Sequence, residues 1–197
     1  AGYSFGPFDA AETSARQELA DLPATDANGK ATFPVALEKL PATSRPLEAQ
    51  ITISMAESGG RAIERKLTLP IAPEGPMIGV KPAFSGRSLD DGANADFDVV
   101  VAAADGKTLA RKGLKYELLK VETTYQWYRQ NGHWEYEPIK RTERVANGTV
   151  DVAADRPARI SMPVKWGRYR LEVSEAGGNG ALTSLTFDSG FYAESSS

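Results

Sequence analysis

The amino-acid sequence predicts an all-β protein built from antiparallel sandwiches, and three observations carry that expectation. Apolar and polar residues alternate over short runs. Leu47, Ala49, Ile51, Ile53 and Met55 point one way, and Phe97, Val99 and Val101 repeat the pattern later. The runs are separated by turn signals at close spacing, such as Ser58-Gly59-Gly60, Ala104-Asp105-Gly106 and Gly177-Gly178-Asn179-Gly180. No stretch shows a clean helical apolar stripe. Short alternating runs punctuated by Gly and Asn are the pattern of a sandwich.

In chain order, residues 1–7 read as an aromatic strand fragment with Tyr3 and Phe5 alternating. Residues 9–22 read as an irregular connection, and Asp26-Ala27-Asn28-Gly29 as a turn. Residues 30–37 are expected to form an edge strand, because Phe33, Val35 and Leu37 share a face and Pro34 lies opposite. Leu47–Ala56 and Ala62–Ile71 should pair as a hairpin. Between Pro70 and Pro76 stand three prolines and a glycine, which mark a domain boundary. The expected division is residues 1–73, residues 74–192 and a tail at 193–197. With about five strands before the joint, the first sandwich is expected to lack N-terminal strands. Beyond it, strands are expected over 77–80, 95–103, 114–121, 139–145, 149–152, 159–164, 168–174 and 182–187, with Asn147-Gly148 as a turn.

Tyr125-Gln126-Trp127-Tyr128-Arg129-Gln130-Asn131-Gly132-His133-Trp134-Glu135-Tyr136 is the most distinctive stretch. Asn-Gly favours a two-residue type I′ hairpin loop, which sets the register. Arg129 then faces Trp134, and Trp127 faces Tyr136. One face carries Tyr125, Trp127, Arg129, Trp134 and Tyr136. Two readings of that face stay open. Either the rings cover the end of the sandwich core, so that Trp127→Ala is strongly destabilising, or Trp127, Arg129, Trp134 and Tyr136 form an interaction face for a sugar, a peptide or a neighbouring domain.

Other chemistry is sparse. The chain has 197 residues, a net charge of −3, one histidine and no cysteine. There is no thiolate, disulfide or Cys-based zinc site, and no basic stripe for nucleic acid. No apolar run approaches the ~20 residues of a membrane span. His133 follows the hairpin loop beside Glu135 and Glu137, where it reads as a solvated residue. The acidic run at residues 90–96 lacks the calcium-loop pattern, and Asp96 and Asp98 are expected to face water. Asn147-Gly148-Thr149 is a formal glycosylation sequon. No metal, cofactor or catalytic residue is expected.

Several segments in order resemble one family. They are Gly2-Tyr3-Ser4-Phe5-Gly6, Thr25-Asp26-Ala27-Asn28-Gly29-Lys30-Ala31-Thr32, Arg45-Pro46-Leu47-Glu48-Ala49, Gly75-Pro76-Met77-Ile78-Gly79-Val80-Lys81-Pro82, Tyr125-Gln126-Trp127-Tyr128-Arg129 and Trp166-Gly167-Arg168-Tyr169-Arg170-Leu171-Glu172-Val173. Together they look like the middle of a bacterial alpha-2-macroglobulin. The resemblance implies two tandem macroglobulin-like sandwiches of immunoglobulin or fibronectin-III type, the fifth and sixth of that protein. It implies a large periplasmic protease inhibitor, anchored to the inner membrane as a lipoprotein, that traps an attacking protease after a bait segment is cut. The partners it implies are neighbouring macroglobulin-like domains and, through the whole protein, target proteases. Many members carry a Cys-Gly/Leu-Glu-Gln thioester; this sequence has no such motif, and no functional residue of the family carries over. A carbohydrate- or surface-binding module is the alternative reading.

Overall fold

The computed structural model describes residues 2–10, 14–41, 43, 45–56, 60, 62–130, 132–177 and 180–190. Among these residues there is no helix. The strands are β1 (Ser4–Phe5), β2 (Leu47–Ala56), β3 (Ala62–Ile71), β4 (Met77–Pro82), β5 (Ser88–Leu89), β6 (Asn94–Ala102), β7 (Arg111–Gln130), β8 (His133–Val152), β9 (Ala158–Pro163), β10 (Gly167–Ser174) and β11 (Leu182–Ser189).

One sheet has the order β1-β4-β6-β9 and a second has β5-β11-β10-β7-β8. The chain crosses repeatedly between them, so each sheet presents alternate residues to the other and a sandwich results. Ile78, Val80, Phe97, Val99, Val101, Ile160 and Met162 come from the first sheet, and Leu114, Leu118, Tyr169, Leu171, Val173 and Phe187 from the second. All are essentially buried. Along β6 the alternation is complete, with Ala95, Phe97, Val99 and Val101 inward. At the centre Phe97 meets Phe84 edge-on at 5.5 Å and Phe187 at 5.3 Å, and Phe187 stacks on Tyr169 at 5.4 Å. The Tyr169 hydroxyl donates to the Lys165 carbonyl and accepts from its N–H, satisfying the polar end of a buried ring.

The opening residues join this sandwich. Ser4 pairs with Val80 and Phe5 with Gly79, which places β1 on the edge of the β4 sheet. Gly79 makes the approach possible, because a Cβ there would lie 2.9 Å from Phe5 Cε1 and from Val100 Cγ2. The segment is held further by β11. Thr183 Oγ1 accepts from the Gly6 N–H at 3.0 Å and donates to the Ile78 carbonyl at 2.6 Å.

Several expectations need correction. Residues 30–37 form no strand, and Val35 and Leu37 are exposed. Pro34 removes a ladder donor, and no strand among the described residues pairs with the segment. Residues 9–43 make a compact unit distinct from residues 1–8 and 44–197. Within it, Asp26 Oδ1 accepts from the N–H groups of Asn28 and Lys30, closing the turn, and Gly29 adopts φ +75°. The expected hairpin of β2 and β3 is present, and it pairs Leu47 with Ile71 through Ile53 with Arg65. It is a two-stranded sheet, and no second sheet covers it among the described residues, so Ile53, Met55, Leu67 and Leu69 are 45–59% exposed. Residues 72–76 carry no strand, and β3 ends before β4 begins.

Asn147-Gly148 is not a turn. Both residues lie within β8, where Asn147 pairs with Glu117 and Gly148 with Tyr116. Glycine makes room there for a ring: a Cβ on Gly148 would lie 2.5 Å from the Tyr116 hydroxyl oxygen, so the Tyr116 side chain would have to move. The segments expected as separate strands on either side of the aromatic hairpin fuse into β7 and β8, each 20 residues long. Register shifts near Leu114 and Leu118 absorb the irregularity.

Candidate functional site

The fused strands decide where the aromatic stretch lies. β10 pairs with β7 only from Lys115 to Val121. Beyond that point β7 has only β8 as a partner among the described residues, so residues 122–130 and 132–142 form a two-stranded arm that extends past the sandwich. At roughly 3.3 Å per residue, nine residues from Glu122 to Gln130 project about 30 Å. A two-stranded ribbon is marginal alone. This one is held because both strands continue into the buried sheet.

The register in the arm is the one an Asn-Gly loop imposes. Gln130 pairs with His133, Arg129 with Trp134, Tyr128 with Glu135 and Trp127 with Tyr136. Asn131 lies outside the described residues; Gly132 has φ +84°, which suits the second position of a type I′ turn. Pro138 sits opposite Tyr125 on β8, an edge strand that tolerates a missing N–H.

Trp127, Arg129, Trp134 and Tyr136 therefore share one face, with Tyr125. The rings do not belong to the sandwich core. Tyr125 is 60% exposed, Trp127 63%, Trp134 69% and Tyr136 59%. The core reading fails here for a geometric reason: the first sheet does not extend beneath the arm, so nothing in the sandwich can cover it. The rings pack sideways on each other, Tyr125 on Tyr136 at 5.7 Å and 69°, and Trp127 on Tyr136 at 5.3 Å and 49°. Lys140, opposite Thr123, lies on the same face. Sequence reading ended the pattern at Pro138 and missed it; the same alternation carried two residues further would have found it.

The opposite face carries Glu122, Gln126, Tyr128, His133, Glu135, Glu137 and Arg141. His133, Glu135 and Glu137 are exposed. Tyr128 donates its hydroxyl to Glu135 Oε2 at 3.1 Å. That hydrogen bond favours the neutral phenol, and the carboxylate charge adds to it, so the Tyr128 pKa is raised above the ordinary tyrosine value. A raised folded-state pKa means that the contribution is present below the unfolded value near 10 and is lost as pH rises through the folded value. The Tyr128 ring signal in an NMR titration of tyrosine-labelled protein should move above the free-tyrosine midpoint. Glu135→Gln should return it. A Tyr128 midpoint unchanged by Glu135→Gln would refute this cause.

The acidic candidates elsewhere are occupied. Asp91 accepts from the Trp166 N–H at 2.6 Å. Asp96 and Asp98 do not simply face water: Asp98 accepts from Arg159 Nε at 2.8 Å, and Asp96 accepts from the Ser161 hydroxyl with Arg159 nearby. Both are cross-strand neighbours on β6 and β9, so the carboxylates staple the first sheet's outer face. Among the described residues no group of three His, Asp or Glu side chains gathers as a metal cluster. Among the same residues no helix is long and apolar enough to cross a membrane.

Comparison with known proteins covers both halves of the chain. Residues 1–73 match the Bacterial Alpha-2-macroglobulin MG5 domain, and residues 79–191 match Bacterial macroglobulin domain 6. The alpha-2-macroglobulin of Xylella fastidiosa (strain 9a5c) is 31% identical over 173 residues, which is 87% of this chain and 10% of that protein. The native conformation of Escherichia coli alpha-2-macroglobulin superposes with a TM-score of 0.71 at 28% identity, over 99% of this chain and 13% of the other. The trypsin-activated form of the Escherichia coli protein gives 0.69 at 27% identity, over all of this chain and 13% of the other. The chain thus spans about a tenth of the length of the curated relatives it matches. With both halves matched in order and the sandwich shared, the chain belongs to the bacterial alpha-2-macroglobulin family.

Proposed function

We propose that this chain is a non-enzymatic scaffold segment of an alpha-2-macroglobulin-type inhibitor that traps a broad range of attacking proteases after bait cleavage. The observation that supports it is the ordered match of the two halves to macroglobulin domains five and six. We also propose a domain division near residue 73, since one match ends there and the next begins at residue 79; β1 is exchanged across it, pairing with β4 of the second half. The chain resembles the native and the trypsin-activated Escherichia coli proteins about equally, with TM-scores of 0.71 and 0.69. That suits a part which keeps its own fold while the protein around it rearranges. We also propose a periplasmic parent protein held at the inner membrane as a lipoprotein, as the resemblance of the sequence implies.

Trapping has a distinct signature. A caged protease loses activity on large substrates and keeps it on small ones. The parent protein, mixed with trypsin or elastase, should suppress hydrolysis of a protein substrate while a short chromogenic peptide is still cleaved. The isolated chain should leave both rates unchanged. Equal loss on both substrates, or on neither, would overturn the proposal. Membrane and periplasmic fractionation of the parent tests the location.

A further inference from the structure

The arm at residues 122–142 segregates its chemistry by face. One face carries Tyr125, Trp127, Trp134 and Tyr136 with the cations Arg129 and Lys140; the other positions there are Thr123, Pro138 and Thr142. That face has no carboxylate and no side-chain amide. The acids Glu122, Glu135 and Glu137 are all on the reverse face.

The size of the patch is considerable. An aromatic side chain has roughly 150–250 Å² to bury. With 59–69% exposure, four such residues present about 400–600 Å² of apolar surface. That is the size of the largest patch on a typical monomer, which is about 300–600 Å² and often functional. It is roughly half to three-quarters of the ~800 Å² that one side of a standard interface buries. Aromatic rings around an arginine are the composition of binding hot spots.

The geometry disfavours a sugar. Sugar stacking wants coplanar ring faces with carboxylates or amides beside them for the hydroxyls. Here the interplanar angles are 49° and 69°, and the acceptors are on the wrong side. A protein surface fits better, because its side chains can fill the angles between rings and its carboxylates can meet Arg129 and Lys140.

We propose that this aromatic and cationic face docks on a carboxylate-bearing surface of another domain of the same polypeptide. This rests on the reading of the chain as one segment of a multidomain protein. Related proteins supply about ten times this chain's length. Docking between two parts of one polypeptide is intramolecular, so it needs less interface than an encounter between free molecules.

Hydroxyl-radical footprinting of Trp127 and Trp134 tests the proposal, in the isolated chain and in the full-length parent. Both residues should oxidise several-fold more slowly in the parent. Arg129→Glu with Lys140→Glu should abolish that protection in the parent and leave the melting temperature of the isolated chain unchanged. If the double variant does not fold, the wild-type parent serves: ~1 M salt screens exposed charges to about 3 Å and should raise the oxidation rate. Equal oxidation in parent and isolated chain overturns the docking. Protection that survives both charge reversal and salt overturns the acidic partner. Protection of the isolated chain that grows with its concentration assigns the face to a second copy, and protection by neutral oligosaccharides assigns it to sugar; either overturns the proposal. The trapping assay on the same parent preparation separates the two readings, since trapping with unprotected tryptophans rejects the dock alone.

Discussion

Phe97→Ala will cost the sandwich about 3–5 kcal/mol, the largest single-residue loss expected in this protein. The Phe97 side chain is fully buried and lies between the two sheets. Its ring contacts Phe84 at 5.5 Å and Phe187 at 5.3 Å, and Phe187 in turn stacks on Tyr169. Removing it deletes transfer free energy and leaves a void that three rigid rings on different elements cannot close together. Each kcal/mol shifts the melting temperature by roughly 2–8 °C for a unit of this size. Thermal melts should therefore show a drop of roughly 6 °C or more, and urea melts a lowered midpoint or loss of the cooperative transition. Phe97→Leu should recover much of it. A loss under about 1 kcal/mol for Phe97→Ala would mean that the two sheets do not pack as described.

Thr183→Val should cost about 2–4 kcal/mol, although it removes only one hydroxyl and keeps the volume. Thr183 is 1% exposed. Its hydroxyl accepts from the Gly6 N–H and donates to the Ile78 carbonyl. Valine would leave two main-chain groups without that partner, at about 1–3 kcal/mol each when buried. The effect has a location as well as a size. Gly6 follows β1, so Thr183→Val should release β1 first. Hydrogen exchange at residues 4–6 should accelerate more than exchange in β10. Uniform loss of protection across both sheets would show that the hydroxyl does not act through β1.

Much of this architecture was legible in the residues because it is written locally. The alternation of Ala95, Phe97, Val99 and Val101 names the inward face of β6 whatever packs upon it. Asn131-Gly132 determines the pairing of Arg129 with Trp134 and Trp127 with Tyr136, because a two-residue loop leaves one register. The strand-free residues 72–76 follow Pro70, which ends the two-stranded hairpin at its edge, and contain Pro73 and Pro76. The candidate face was legible to the same degree: its membership follows from parity along two strands.

What parity cannot supply is a covering layer. Leu47, Ile51 and Ile53 alternate as cleanly as the residues of β6, yet the hairpin they belong to has no second sheet upon it among the described residues. Phe33, Val35 and Leu37 alternate too, and they form no strand, because a strand needs a partner ladder and Pro34 weakens its own. Asn147-Gly148 carries a turn signal that the long pairing of β7 with β8 overrides, and there Gly148 leaves room for the Tyr116 ring. The aromatic face shows the same division. Its composition, register and cations follow from the amino-acid sequence alone. Its exposure was decided by tertiary structure, because burial is a relation between sheets: the second sheet runs past residue 121, and the first sheet does not follow it.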